Sequence, residues 1–468
     1  MKTIEAGSFH RLSSLIILNL SHNNVSNQPR DPRSNSHLSS LSGVFWNLPS
    51  LQSLDLSENQ IGRIDSAFFM TLTSLRLLNL SRNELDAIDY RNLMQVANVD
   101  VLDLSHNSLV SVDDPLCRYL PALEKLDLSF NQLSRLDGAV SHCQRLRSLD
   151  ASHNQLRGLG TKLFAVSTAI QSLDLSSNRL IGMPNVDTLI QLKSLSLAAN
   201  RISHLSSGDL ERNRLLEVVD LSSNDIEQLP VRFFHGSRRL REIDLKGNAM
   251  TSLPPAVLAN LALLDRLDLS SNLLSELGAD VFDRSTRLRY LSVANNNISY
   301  LSTDDIALDG VQILDMRHNC ISDLSRFSVK NLPSLSELDL SHNTISSVSV
   351  KSFEKSQALM KLDLSDNRID AVPSDAFAAL PNLQVLRLAR NRIQRVHHKA
   401  FSDLISLEDL SLQENTIDVI DTDAFHGPIF LRSLNLSSNA LSRVEDAGIR
   451  NLLSLEVNSP YPINSMIL

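Results

Sequence analysis

The chain has 468 residues and a net charge of −9; 42% of it is hydrophobic but only 4% aromatic. That length exceeds what one ordinary globular core organises, and a mildly acidic chain without a polybasic segment argues against a nucleic-acid partner. Its apolar runs fall far short of the ~20 residues that span a bilayer. No apolar segment of secretory type follows Lys2.

The opening, MKTIEAGSFHRL, reads as the return half of a repeat, with Ile4 in an apolar slot and Phe9 six residues before Leu15. At Leu15 a block of the form LxxLxLxxNxL begins and then recurs. Its asparagines are Asn23, Asn59, Asn83, Asn107, Asn131, Asn154, Asn178, Asn200, Asn224, Asn248, Asn272, Asn296, Asn319, Asn343, Asn367, Asn391, Asn415 and Asn439, which makes eighteen repeats. Thirteen of the seventeen spacings are 24 residues, two are 23, one is 22 and one is 36. A fixed period of this length marks a stacked repeat architecture in which neighbours bury each other's faces, rather than three separate domains.

Within a block, side chains alternate between two faces as in a strand. In LQSLDLSENQI, Leu51, Leu54, Leu56 and Ile61 point inward while Ser53, Asp55 and Ser57 point outward. The asparagine stands where the strand turns away. Its buried amide can serve backbone groups that have lost ladder partners, so Asn59, Asn83, Asn107, Asn343 and Asn367 are structural candidates in an internal ladder. The return segments carry phenylalanine six residues before the next block at Phe9, Phe45, Phe69, Phe164, Phe234, Phe282, Phe353, Phe377, Phe401 and Phe425, which predicts an apolar spine.

The 36-residue spacing holds a polar, proline-containing insertion over 26–37, read as a protruding loop or a tolerated insertion. A nineteenth block starts at Leu455 and loses register at Asn458. The expected organisation is one solenoid over 1–457, interrupted at 26–37, with an irregular tail over 458–468. Neither end carries a polar or disulfide-bonded cap, so the chain reads as a fragment.

The period, the block and the phenylalanine slot resemble the typical 24-residue subfamily of animal leucine-rich repeats, found in extracellular proteins such as chaoptin and the Toll-like receptor ectodomains. The plant signature LxGxIP is absent. The cytosolic type usually carries leucine-proline after the block; here proline occupies that slot in only four repeats, at Pro184, Pro230, Pro254 and Pro373. The resemblance implies an α/β repeat solenoid: a curved horseshoe of about 18 repeats, with a parallel concave β-sheet and irregular convex segments. It also implies a non-enzymatic, protein-binding ectodomain for cell adhesion or cell-surface recognition. The alternatives are the ligand-binding part of a Toll-like signalling receptor and an intracellular scaffold. The expected partner is a protein ligand or a second copy, with no nucleic acid and no small-molecule substrate. Membrane attachment comes only through an anchor or span absent from this chain. Location is extracellular or cell-surface, with cytoplasmic the runner-up. Sequons at Asn19, Asn24, Asn79, Asn297 and Asn435 fit an exported glycoprotein.

Three cysteines are too few for a disulfide framework. Cys117 and Cys143 fall in core slots of adjacent repeats and are expected as small inward-facing hydrophobes, a bond between them being the alternative; Cys320 is expected at least partly exposed.

Chemistry on the outward face is sparse. Aspartate occupies the strand centre in eleven of eighteen repeats, a column that invites calcium or a basic ligand but also follows from the generic LDLS block. Histidine precedes the ladder asparagine at His22, His106, His153, His318 and His342. Only His318 and His342 fall in adjacent repeats, where a zinc pair or a pH switch is conceivable and solvated side chains are the expectation. With no nucleophile elbow, phosphate loop, HExxH or CxxC, no enzyme, cofactor or metal site is expected. The face departs most from LDLSxN between the repeats of Asn248 and Asn415. There Glu242, Arg266, Tyr290, Ile313, Arg317, His318, His342, Lys361, Arg387 and Arg390 are the binding candidates. An exposed Tyr290 beside Ile313, rimmed by arginines, is the expected anchor.

Overall fold

The computed structural model describes residues 4–23, 25, 43–64, 67–112, 115–136, 138–282, 287–300, 308–324, 332–354 and 356–441. The sequon Asn24, the insertion at 26–37, the nineteenth block and the tail 458–468 lie outside the described residues. The chain divides into two compact units, Met1–Ile226 with Gly236–Arg238, and Glu227–His235 with Arg239–Leu468.

In the first unit, nine three-residue strands from Ile17–Asn19 to Val218–Asp220 pair in parallel, each in register with the next repeat. Each strand is the centre of one sequence block. Its middle leucine or valine points into the core, as Leu54 and Leu126 do, and the residues on either side face outward. The return segments are turns with short 3-10 stretches at Tyr90–Val96 and Leu116–Arg118. Phe45, Phe68 and Phe69 are buried there, and Phe9, only half-buried, stacks on Phe45 at 6.3 Å.

Nine strands of the second unit, from Glu242–Asp244 to Ser433–Asn435, repeat the arrangement. Behind them Phe353, Phe377, Phe401 and Phe425 form a column with ring centroids 6.2, 6.2 and 5.5 Å apart. This unit also contains a second sheet that the block pattern does not announce. Ala371–Val372, Arg395–Val396 and Val419–Ile420 pair in parallel beyond the asparagine turn. Each of these strands ends on a β-branched residue, Val372, Val396 or Ile420, three positions after the inward isoleucine, a residue type that suits an extended segment.

The asparagine ladder joins neighbouring repeats in both units. Asn107 Nδ2 donates to the carbonyls of Leu104 and Ser105 in its own turn and of Leu80 in the preceding repeat. Its Oδ1 accepts the amide of Leu85. Asn59, Asn83, Asn343 and Asn367 do the same with their own neighbours. The residue just before each asparagine is left-handed, with φ of 52–54° from His22 to Ser223 and 50–68° from Gly247 to Ser438. Only one of these eighteen positions is glycine. The strain of a left-handed non-glycine residue, about 1–2 kcal/mol, is offset because its amide extends the ladder. The His106 amide, for example, donates to the Ser129 carbonyl of the next repeat.

One expectation is corrected. Cys117 and Cys143 are joined in a disulfide, their Cα atoms 5.0 Å apart. Both are buried, as core slots demand, but the stacking of adjacent return segments brings the two thiols together instead of packing them separately. Cys320 is free and exposed. Among the described residues, no helix is long and apolar enough to cross a membrane.

Candidate functional site

The second unit's strands carry the candidate residues in columns, because parallel in-register pairing places equivalent positions side by side. The first outward column runs Glu242, Arg266, Tyr290, Ile313, Glu337, Lys361, Val385 and Asp409. Tyr290 and Ile313 are lateral neighbours. Ile313 is 36% exposed. Tyr290 is not the open aromatic that the sequence suggests: it is half-buried, and the Arg266 guanidinium lies 3.7 Å above its ring while reaching Glu242 at 3.5 Å. The cation covers the ring because a guanidinium on the adjacent strand stacks on it readily.

The second outward column shows what the aspartates do. Each uses one carboxylate oxygen to accept the backbone amide two residues on, as Asp268 does from Ser270 at 2.9 Å and Asp339 from Ser341 at 2.9 Å. Asparagine performs the same task at Asn79 and Asn435. The column is thus first a turn-forming device. Burial pushes the Asp315 carboxyl above the usual range, against the opposing pull of the Arg317 amide and charge.

The arginines around this face are paired. Arg317 lies 3.4 Å from Asp315, Arg387 3.5 Å from Asp363, and Lys361 2.7 Å from Glu337. Arg390 grips Asp366 through two bonds of 2.7 and 2.9 Å, which raises its already high pKa, and sits 3.6 Å from Glu414. His318 and His342 are exposed and stack face to face, centroids 4.0 Å apart. Burial, the neighbouring His342 and Arg317 together hold the His318 pKa below its ordinary value. His342 in turn stands 3.5 Å from Asp366. Among the described residues no group of three or more histidine, cysteine or carboxylate side chains converges as a metal site would.

Two hollows join these residues. A groove of about 390 Å³ runs from Tyr290 and Ile313 past Glu337 and Lys361 to Val385, Arg387 and Asp409. A smaller one of about 230 Å³ is lined by His342, Asp366, Arg387, Arg390 and Gln413. Of the ten candidates, Tyr290, Ile313, Lys361 and Arg387 line the first hollow, and His342, Arg387 and Arg390 line the second. Glu242, Arg266, Arg317 and His318 line neither of the two. Val385 and Asp409 belong to the groove, though their residue types are ordinary for the block; only the strand register reveals them.

The sequons sit on both units. Asn19, Asn297 and Asn435 are exposed and Asn79 is half-buried. Asn19, Asn79 and Asn435 turn Oδ1 to the backbone amide two residues on.

The Leucine rich repeat family pattern matches residues 49–180, 214–274 and 286–457 in overlapping stretches. No curated protein matches the chain. Among solved structures, a leucine-rich-repeat protein of Leptospira interrogans is 24% identical, with a TM-score of 0.68, over 98% of this chain and 100% of its own. Toll of Drosophila, solved in complex with Spatzle, is 21% identical with a TM-score of 0.75. That match covers 86% of this chain and 56% of Toll's, so the chain spans about half of that receptor chain. The ectodomain of the membrane receptor kinase GASSHO1/SCHENGEN3 of Arabidopsis thaliana, in complex with Casparian Strip Integrity Factor 2, is 24% identical with a TM-score of 0.55, over 97% of this chain and 62% of its own. At these identities the likeness is one of fold.

Proposed function

We infer that this chain, which belongs to the leucine-rich-repeat family, is a non-enzymatic protein-binding ectodomain for cell adhesion or cell-surface recognition. Its second unit binds through the outward strand face. One observation carries this reading. The groove from Tyr290 to Asp409 combines apolar lining from Tyr290, Ile313 and Val385 with charges of both signs from Glu337, Lys361, Arg387 and Asp409. An apolar centre inside a rim of paired charges is the anatomy of a protein interface. The charges supply register and partner choice more than affinity, because Glu337, Lys361 and Arg387 are already paired within the chain. The fold is shared with Toll and with the plant ectodomain, each solved with a protein or peptide bound, and this favours the same use here.

The test is capture of partners from intact cells by the immobilised full chain, followed by binding isotherms on the captured protein and on a second copy of this chain. Tyr290→Ala and Arg387→Glu are each expected to lower affinity about tenfold or more while leaving Tm unchanged. Unchanged affinity removes this face as the site. The ligand-binding part of a Toll-like receptor remains the second reading, favoured by the length of the match to Toll. Extracellular location is supported by the Cys117–Cys143 disulfide, a bond that oxidising compartments sustain. Glycopeptides containing Asn19, Asn79, Asn297 or Asn435 in native material are the expected finding; an unmodified protein retained in the cytosol contradicts that location.

A further inference from the structure

On the strand face of the first unit, the left-handed turn position carries three consecutive rings. His106, Phe130 and His153 stack with centroids 4.1 and 3.9 Å apart and planes within 7° and 10° of parallel. Phe130, in the middle, is 43% exposed. The fold does not require a ring at this slot, since Glu58, Ser177 and Ala199 occupy it in other repeats with the same backbone.

The two ends of the stack differ. Before His106 stands Arg82, whose charge acts on that imidazole and which lies 3.8 Å from Glu58. After His153 come Ser177 and Ala199, so the outer face of the His153 ring overlooks a shelf of small side chains. Alongside run four consecutive carboxylates at the strand ends, Asp103, Asp127, Asp150 and Asp174. Each accepts one backbone amide at 2.8–2.9 Å with one oxygen. Among the described residues no basic side chain forms an ion pair with any of the four. Burial holds the Asp127 carboxyl above the usual range, and the charges of Asp150 and Asp103 push the same way.

We propose that this corner of the first unit recognises an arginine side chain of a protein partner, its guanidinium stacked on the outer face of His153 and paired with Asp150 and Asp174. A guanidinium is the group that satisfies both halves of the corner, because it is planar, stacks on rings and hydrogen-bonds to carboxylates through a fixed fork. The chain already combines these three groups within itself, at a different column of the strand face. In the second unit, Arg266 lies 3.7 Å above the Tyr290 ring and 3.5 Å from the Glu242 carboxylate, with ring and carboxylate on the adjacent strands to either side. The first unit presents ring and carboxylates without the cation. This corner shares no residue with the groove proposed above, and either stands if the other fails.

The test is an NMR titration of the full chain carrying 13C-labelled histidine, with acetyl-Gly-Arg-Gly-amide and its lysine and citrulline counterparts as probes. The arginine peptide is expected to shift the His153 ring signals and to bind about three- to tenfold more tightly than the lysine peptide. The citrulline peptide, planar but uncharged, is expected to bind more weakly than either. His153→Ser, which installs the residue found at Ser177, is expected to remove the preference for arginine over lysine. Asp150→Asn with Asp174→Asn keeps the oxygen that holds the turn, as Asn79 does, and is expected to weaken both cationic peptides. Equal binding of the arginine and lysine peptides to the wild type overturns the proposal, as does a preference that survives His153→Ser.

Discussion

Replacing Asn343 by leucine tests the ladder that joins one repeat to the next. The Asn343 side chain donates to the carbonyls of Met316, Leu340 and Ser341, each at 3.1 Å, and accepts the Ile321 amide at 3.0 Å. Leucine is of similar size and removes all four bonds. Ile321 is fully buried, so its amide loses its partner in a dry environment at about 1–3 kcal/mol. The three carbonyls share a single amino group, and their loss adds roughly 1 kcal/mol. The expected cost is therefore about 2–4 kcal/mol, falling on the interface between the repeats of Asn319 and Asn343. Urea unfolding measures the magnitude and hydrogen exchange the location. The Ile321 amide and its neighbours are expected to exchange faster, while the first unit keeps its protection. Asn439→Leu is the internal comparison. That asparagine makes the same set of bonds but is only half-buried, so water replaces part of what is lost and the cost is expected to fall below half. A cost within about 0.5 kcal/mol of zero at Asn343, or equal costs at the two sites, would refute the ladder argument.

Three further outcomes follow from the packing. Reducing the Cys117–Cys143 bond frees a loop of 26 residues and is expected to lower stability by about 3 kcal/mol; a reductant-insensitive Tm contradicts this. Gly427→Ala would place a Cβ 1.8 Å from the Ser402 carbonyl oxygen, so two return segments must part, at about 1–3 kcal/mol; thermal melts decide it. Asp127→Asn is expected to stabilise the chain at neutral pH, because it keeps the Ser129 amide bond and removes a half-buried charge beside Asp103 and Asp150. The folded carboxyl has a raised pKa, so the native state holds that proton more tightly than the unfolded chain. The contribution of Asp127 to wild-type stability therefore falls as pH rises from about 3.9, the unfolded value, through the folded value. The advantage of the asparagine variant is expected to vanish below that window, as denaturation at pH 3 and pH 7 reveals.

The repeat boundaries, the inward leucines and the adjacency of Tyr290 to Ile313 were legible because period 2 within a strand and period 24 along the chain are both written in residue type. What escaped the sequence lies between repeats. The thiols of Cys117 and Cys143 meet because the return segments stack closely, a distance that no spacing encodes. The stack of His106, Phe130 and His153 escaped because comparing histidines with histidines passes over the phenylalanine between them. Arg266 reads as a free basic rim until the register shows Tyr290 on one side and Glu242 on the other. The second sheet lies in a segment where the block pattern has already ended. The candidate groove was only partly legible for the same reason: Val385 and Asp409 matter by position, not by type.

The ladder also fixes how each unit yields to a pull. Asn107 holds its own turn and the one before it, as do Asn343 and Asn367 in the second unit. Drawn from one end, a unit of this kind peels rather than snaps. Each released repeat of about 24 residues lengthens the chain by roughly 80 Å, at a force set by one interface at a time. The disulfide is the exception. It locks 26 residues across two neighbouring repeats and withholds roughly 90 Å of extension. Under tension, the first unit therefore carries a stop that resets when the bond is oxidised and disappears when it is reduced.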